Sequence, residues 1–145
     1  MEYLADTNII LRLAETAHPM HGIALKAITK LFADGINLCL FPQNLIEFWN
    51  VATRPADKNG LAWTAAQTDA EVAVLENTFT VLLDTSAIYS EWRRLVAAHS
   101  VLGKQVHDTR IVAAMNVHRV TNLLTFNTAD FKRFSGIILI DPTII

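Results

Sequence analysis

Apolar residues along the chain fall into two patterns: short unbroken runs, and longer stretches in which they recur every third or fourth position. These are the signatures of buried strands and amphipathic helices. The first run, Tyr3-Leu4-Ala5, is followed at once by Asp6-Thr7-Asn8, an acid, a hydroxyl and an amide. That order predicts a core strand whose end faces a crevice, with Thr7 or Asn8 capping the helix that follows. Ile9, Ile10 and Leu13 give one helical stripe, and His18-Pro19 breaks it. Ile23, Leu25, Ala27, Ile28, Leu31 and Phe32 mark a second helix, closed by Asp34-Gly35.

Ile36 to Phe41 reads as a buried strand, and Pro42 stands where a helix can begin. That helix, from about Gln43 to Thr53, carries Asn44, Glu47, Asn50 and Arg54 along one polar stripe. Glu47 is flanked by Leu45, Ile46, Phe48 and Trp49, so it points either to solvent or into a polar cleft, and periodicity alone favours solvent. Arg54 to Gly60 is the most loop-like segment, with Pro55, Gly60 and two cations, Arg54 and Lys58. Thr64 and Gln67 have capping-box spacing and predict a helix through about Asn77. A strand from Phe79 to Leu83, a helix from Ser86 to His99, and a helix from Val106 through His118-Arg119 follow. Asn122 to Thr125 reads as a short strand running into the polar turn Phe126 to Phe131, and Ile137 to Ile140 as a last strand.

Strands alternating with helices in this way predict an α/β domain, a three-layer sandwich with a mainly parallel central sheet flanked by helices. At 145 residues the chain has the size of a single domain spanning 1–145. Hydrophobic residues make up 52% and the mean hydropathy is +0.29, yet no apolar run reaches the length of a membrane span. The apolar excess suits a sheet buried on both faces, or a partner surface. A lone cysteine, Cys39, reads as core packing, and with no signal-like start it predicts a reducing, cytoplasmic setting. The net charge of −2 excludes only broad electrostatic binding of nucleic acid, since a site can be locally basic on an acidic chain.

Ligand crevices of parallel α/β sheets lie at the strand ends. Four carboxylates fall where that edge can gather them: Asp6, Glu47, Asp108 in the first turn of its helix, and Asp130 in the late polar turn. Each has an ordinary use as well, since Asp caps helices and carboxylates suit a helix N-terminus. Converged, two carboxylates about 5 Å apart at an effective dielectric near 20 repel by roughly 3 kcal/mol, so the cluster needs a cation or bound protons. Hard oxygen ligands without a cysteine or paired-histidine motif favour magnesium or manganese over zinc.

Asp6-Thr7-Asn8 after the first strand, Glu47 on the helix after the second, His107-Asp108 before an Ala-containing helix, and Thr125-Phe126-Asn127 with Asp130-Phe131 near the end together resemble a PIN-domain ribonuclease. The set is most similar to the VapC-type toxins of toxin–antitoxin pairs, over essentially the whole chain. The resemblance implies a PIN-like fold and a metal-dependent endoribonuclease with Asp6, Glu47, Asp108 and Asp130 around one or two Mg2+ or Mn2+ ions. Asp6 and Asp108 are then the main ligands, Glu47 a ligand or water-orienting base, and Asp130 with Asn127 the outer set. Thr7, Asn8 and Thr125 would steady the carboxylates or water from behind. Arg12, Arg54, Lys58, Lys104, Arg110, Lys132 and Arg133 are candidates to grip RNA phosphate, although most surface cations only solvate. An antitoxin protein and a homodimer are the implied partners. A phosphatase of the haloacid dehalogenase type wants an Asp at the place of Asn8, and a receiver domain wants further acids and a late lysine. The remaining alternative is a non-catalytic PIN-like module that binds RNA or protein, against which the presence of all four acids argues.

Overall fold

A computed structural model of residues 1–145 contains a single five-stranded sheet in the order β3-β2-β1-β4-β5, with every neighbouring pair parallel. The strands are β1 (Glu2–Ala5), β2 (Asn37–Leu40), β3 (Thr80–Val81), β4 (Asn122–Leu124) and β5 (Ile138–Ile140). Between them run α1 (Thr7–Ala14), α2 (His21–Ala33), α3 (Pro42–Thr53), α4 (Ala65–Thr78), α5 (Ala87–Ala98) and α6 (Gln105–His118). The predicted α/β sandwich is therefore present, and its sheet is wholly rather than mainly parallel. Every predicted strand and helix exists, with ends that differ by a few residues. β3 is the most shortened, two residues where the apolar run spans five.

Alternation along the strands splits the interior in two. Leu4 and Leu123 face one layer, where they meet Ile88 and Leu95 of α5 and Ile111 and Met115 of α6. Ala5 and Leu124, the next residue in each strand, face the other, with Ile9 and Ile10 of α1, Ile28 of α2, Phe48 of α3 and Leu75 of α4. Cys39 is fully buried in β2, as its place in the apolar run predicts.

The chain leaves β1 toward β2 on one side and returns later to β4 on the other. The order of strands thus switches between β1 and β4, where a parallel sheet opens its crevice. The ladder continues one step beyond each strand: Asp6 N donates to Leu124 O at 2.9 Å, and Thr125 N to Ile140 O at 3.1 Å. Asp6 and Thr125 are consequently neighbours at the C-terminal edge.

Local chemistry fixes the elements that flank this edge. Asp6 itself, rather than Thr7 or Asn8, caps α1, its Oδ1 accepting from Thr7 N at 2.8 Å. Pro42 occupies the first turn of α3, and Asn44 Oδ1 accepts from Phe41 N at 2.8 Å, holding the start of that helix against β2. The capping box of α4 forms as its spacing predicts, with Thr64 Oγ1 and Gln67 Oε1 exchanging backbone donors. After α3 the loop turns sharply through a 3-10 turn at Ala56–Lys58, and Asn59 takes a left-handed conformation. It then folds back so closely that a Cβ on Gly60 would lie 1.9 Å from the Arg54 carbonyl oxygen. Only glycine fits there.

Candidate active site

Asp6 is buried at the end of β1, and three donors reach it. Beyond the capping bond from Thr7 N, its Oδ2 accepts from Thr125 Oγ1 at 2.7 Å and from Asn8 Nδ2 at 3.2 Å. Asn8 also reaches across to the turn after β4, donating to Thr125 Oγ1 at 3.1 Å and accepting from Phe126 N at 3.2 Å. Asn127 N donates to Thr125 Oγ1 at 3.0 Å, while the Asn127 side chain is exposed. The small polar residues after β1 and β4 therefore lock the two strand ends together.

Glu47 is half-buried and faces this edge, contrary to the solvent-facing position that periodicity favours. Its Oε2 accepts from Thr7 Oγ1 at 2.7 Å and its Oε1 from Gln43 Nε2 at 2.9 Å. Gln43 Nε2 also donates to the His107 carbonyl at 2.8 Å, and Gln43 Oε1 accepts from Arg110 Nη1 at 3.0 Å. Periodicity identifies a helix face but not what packs beside it, and here α6 brings polar backbone to that face. Asn44 does not share the cleft with Glu47. It is fully buried beneath, donating to Thr7 Oγ1 at 3.2 Å.

Asp108 lies half-buried in the first turn of α6, and Asp130 is exposed on the 3-10 turn Thr128–Phe131. The acids feel one another. Burial pushes Asp6 up to about 6 from 3.8, against the lowering effect of its bonds from Thr125 and Thr7 and with the help of the Glu47 and Asp130 charges. Asp108 is also pushed up to about 6, first by burial and then by Asp6, Asp130 and Glu47, with no hydrogen bond to oppose them. All four predicted carboxylates thus converge electrostatically on one edge. As the side chains stand, no three of the His, Cys, Asp and Glu groups are arranged to hold one metal ion.

A cleft of about 800 Å³ opens over this edge, lined by Thr7, Glu47, Asp108, Asn50, Arg54 and Arg110 among others. Two of the candidate cations, Arg54 and Arg110, therefore stand beside the acids in a chain of net charge −2. Arg110 Nη2 lies 3.4 Å from Asp84 Oδ2, so its guanidinium is held from two sides. Arg12 and Lys58 are not among the lining residues. Arg12 pairs with Glu15 one turn along α1, and Lys58 is exposed with its carbonyl accepting from Arg54 Nη1 at 3.4 Å. Lys104 precedes α6, Lys132 follows the 3-10 turn, and Arg133 Nη2 donates to Gln105 Oε1 at 2.7 Å.

Gln43 and Asp84 also stand at this edge, and the sequence carries a weak signal for each. Gln43 stands four residues before Glu47, one helical turn away on the same face. Asp84 follows the apolar run of β3 as Asp6 follows that of β1.

A parallel sheet whose switch-point edge gathers four acids and two arginines matches a known family, since the family model for the PIN domain aligns with residues 3–137. The chain belongs to the PIN-domain family. Among solved structures it is similar to VapBC-1 from nontypeable Haemophilus influenzae (TM-score 0.70, 20% identity, 99% of each chain covered). It is also similar to VapBC2 from Rickettsia felis, bound to a DNA fragment from its promoter (TM-score 0.68, 17% identity, 97% of this chain and 98% of that one). A third is the Mycobacterium tuberculosis toxin VapC20, which cleaves the sarcin–ricin loop (TM-score 0.60, 18% identity, 83% and 86% covered). No curated protein sequence matches the chain.

Proposed function

We propose that the protein is a metal-dependent endoribonuclease that hydrolyses RNA phosphodiester bonds, acting as the toxin of a toxin–antitoxin pair. One observation carries this reading: Asp6 and Asp108 are pushed up by burial and by the charges of Glu47 and Asp130 beside them, and Glu47 and Asp108 line a cleft that Arg54 and Arg110 share. The donor set suits a hard divalent ion, Mg2+ or Mn2+, held by Asp6, Glu47, Asp108 and Asp130, with Asn127 on its outer side. Such an ion supplies charge stabilisation for the phosphoryl oxygens and lowers the pKa of water.

The chain's own residues do the rest. Thr125, Asn8 and the Thr7 amide orient the two Asp6 oxygens, and Thr7 with Gln43 orients both oxygens of Glu47. Glu47, held in this way, is the group to orient the attacking water and take its proton. Arg54 and Arg110 grip the phosphates that flank the scissile bond, without reading base sequence.

The toxin assignment draws on the solved relatives that carry VapBC names and on the exposed apolar side chains Ile46, Leu83 and Leu102, which suit a cognate antitoxin or a second copy in a homodimer. The whole chain is read as one PIN unit working in the cytoplasm. A non-catalytic RNA- or protein-binding PIN module is the second reading, for which the exposed apolar side chains would serve as the contact surface. Incubation of the purified chain with a structured RNA pool in Mg2+ or Mn2+, against EDTA and Asp6→Asn controls, separates the two. Cleavage requiring both metal and Asp6 is the expected result, and intact RNA with all metals favours the binding module.

A further inference from the structure

A second cavity, of about 420 Å³, opens beside the acid cleft and shares two of its walls, His107 and Arg110. Its remaining sides include Tyr89 and Trp92 from α5, with buried Ile88 next to Tyr89 and the Ser86 hydroxyl also lining the space. Tyr89 is 65% exposed, a large ring left open to solvent. The Trp92 ring lies 5.9 Å from it, tilted by 32°. Trp92 Nε1 donates to the Val106 carbonyl at 2.8 Å, which fixes the indole and uses its only donor. What Trp92 offers the pocket is an immobile apolar surface. Arg110, pinned by Gln43 and Asp84, stands on the boundary between the two cavities.

We propose that this pocket receives one unstacked base of the RNA, next to the phosphate gripped in the acid cleft. The inference rests on the nuclease reading and deepens it. An exposed aromatic ring beside a guanidinium is the pairing that single-stranded RNA uses: the ring stacks a base and the cation meets the adjoining phosphate. The volume suits a single base and its sugar, and the cavity shares His107 and Arg110 with the acid cleft. An apolar side chain from a protein partner would gain from Tyr89 and Trp92 but would have no use for the guanidinium at the mouth. Ser86 and His107 also line the space and carry polar side chains of the kind that meet a base edge. Contacts of Arg54 and Arg110 with phosphate carry no sequence information, so preference at this position originates in the pocket.

The test uses fluorescein-labelled RNA hexamers of each of the four bases and an abasic hexamer of equal charge. Binding is read by fluorescence anisotropy in the Asp108→Asn background with magnesium, so that RNA is held and not cut. The expected result is that at least one base-bearing hexamer binds about 10-fold more tightly than the abasic one. Tyr89→Ala should remove most of that difference and Tyr89→Phe should retain it; the exposure of Tyr89 makes both variants compatible with folding. Equal binding of abasic and base-bearing hexamers overturns the proposal, as does a preference indifferent to Tyr89→Ala. A change in sedimentation of Tyr89→Ala without a change in RNA preference assigns the pocket to a protein contact and overturns it too. A wild-type chain that cuts the RNA pool but shows no base preference keeps the nuclease reading and loses the subsite. A chain that neither cuts nor binds loses both.

Discussion

Thr125 Oγ1 donates a 2.7 Å hydrogen bond to Asp6 Oδ2 across the ends of two adjacent parallel strands, β1 and β4. Both side chains are buried, so the bond stabilises the ionised form of an acid that burial otherwise drives toward protonation. Thr125→Val, close to isosteric, removes the donor and leaves Asp6 still harder to ionise. Ribonuclease activity should fall about 10-fold near pH 6.5 and recover toward pH 8, because the acidic limb of the profile moves upward. Thr125→Ser keeps the hydroxyl and should keep the profile. Matching profiles for Val and wild type would remove Thr125 from the site.

Stability without metal should respond to pH in an unusual direction. Asp6 and Asp108 titrate near 3.8 when unfolded and about 6 when folded. Between those values the folded chain binds more protons than the unfolded one, so stability falls as pH rises through that window and the penalty is complete above it. Asp6 alone accounts for roughly 3 kcal/mol; Asp108, half open to water, contributes less because solvent screens it. In EDTA the melting temperature should therefore rise as pH drops from 7 to 5. Asp108→Asn should raise the pH 7 value and flatten the dependence. A melting temperature that falls steadily over this range would mean the acids carry no such strain.

Gln43 ties Glu47 to α6 and to Arg110 through one amide. Gln43→Leu leaves the helix intact but frees both charged side chains. Cleavage should fall about 10- to 100-fold, the usual scale for loss of a group that orients a ligand. Arg110→Ala should act differently, weakening RNA binding across sequences and reducing the salt dependence by about one counterion. Circular dichroism spectra that match wild type keep both effects local.

Gly60 is a structural test of the loop that carries Arg54. Any Cβ there meets the Arg54 carbonyl at 1.9 Å, backbone that cannot move aside without opening the return to α3. That return is held by Ala62 N donating to Arg54 O at 2.9 Å and Trp63 N to Ala52 O at 2.8 Å. Gly60→Ala should lower the melting temperature by several degrees, as a loss on the order of 2 kcal/mol does in a domain of this size. RNA affinity should fall with it as Arg54 is displaced.

The elements were legible because their ends are written in local chemistry. Pro42 opens α3, Thr64 with Gln67 opens α4, and Gly35 at φ +78° closes α2 without reference to the rest of the chain. Asp6 was legible for the same reason, as an acid at the end of an apolar run. Its capping of α1, in place of Thr7 or Asn8, is not legible in the same way, because Asp, Thr and Asn all cap well and only the backbone decides among them. The direction of Glu47 was not legible. It depends on Thr7, brought in from α1, and on Gln43, which the His107 carbonyl and Arg110 hold from α6. Nearness in sequence misleads in the opposite way for Arg12: six residues from Asp6, it is carried along α1 to Glu15 rather than into the cleft.

The most direct measurement is Mn2+ binding by calorimetry in buffers of different ionisation enthalpy, for wild type and Asp108→Asn. If the four acids form a metal centre, wild type binds at least one ion, and binding near pH 6 releases protons because Asp6 and Asp108 are partly protonated there. That release should vanish near pH 8, and Asp108→Asn should bind at least 10-fold more weakly. Undetectable binding in wild type, or binding that Asp108→Asn leaves unchanged, would contradict a metal centre at this edge and with it the hydrolytic mechanism.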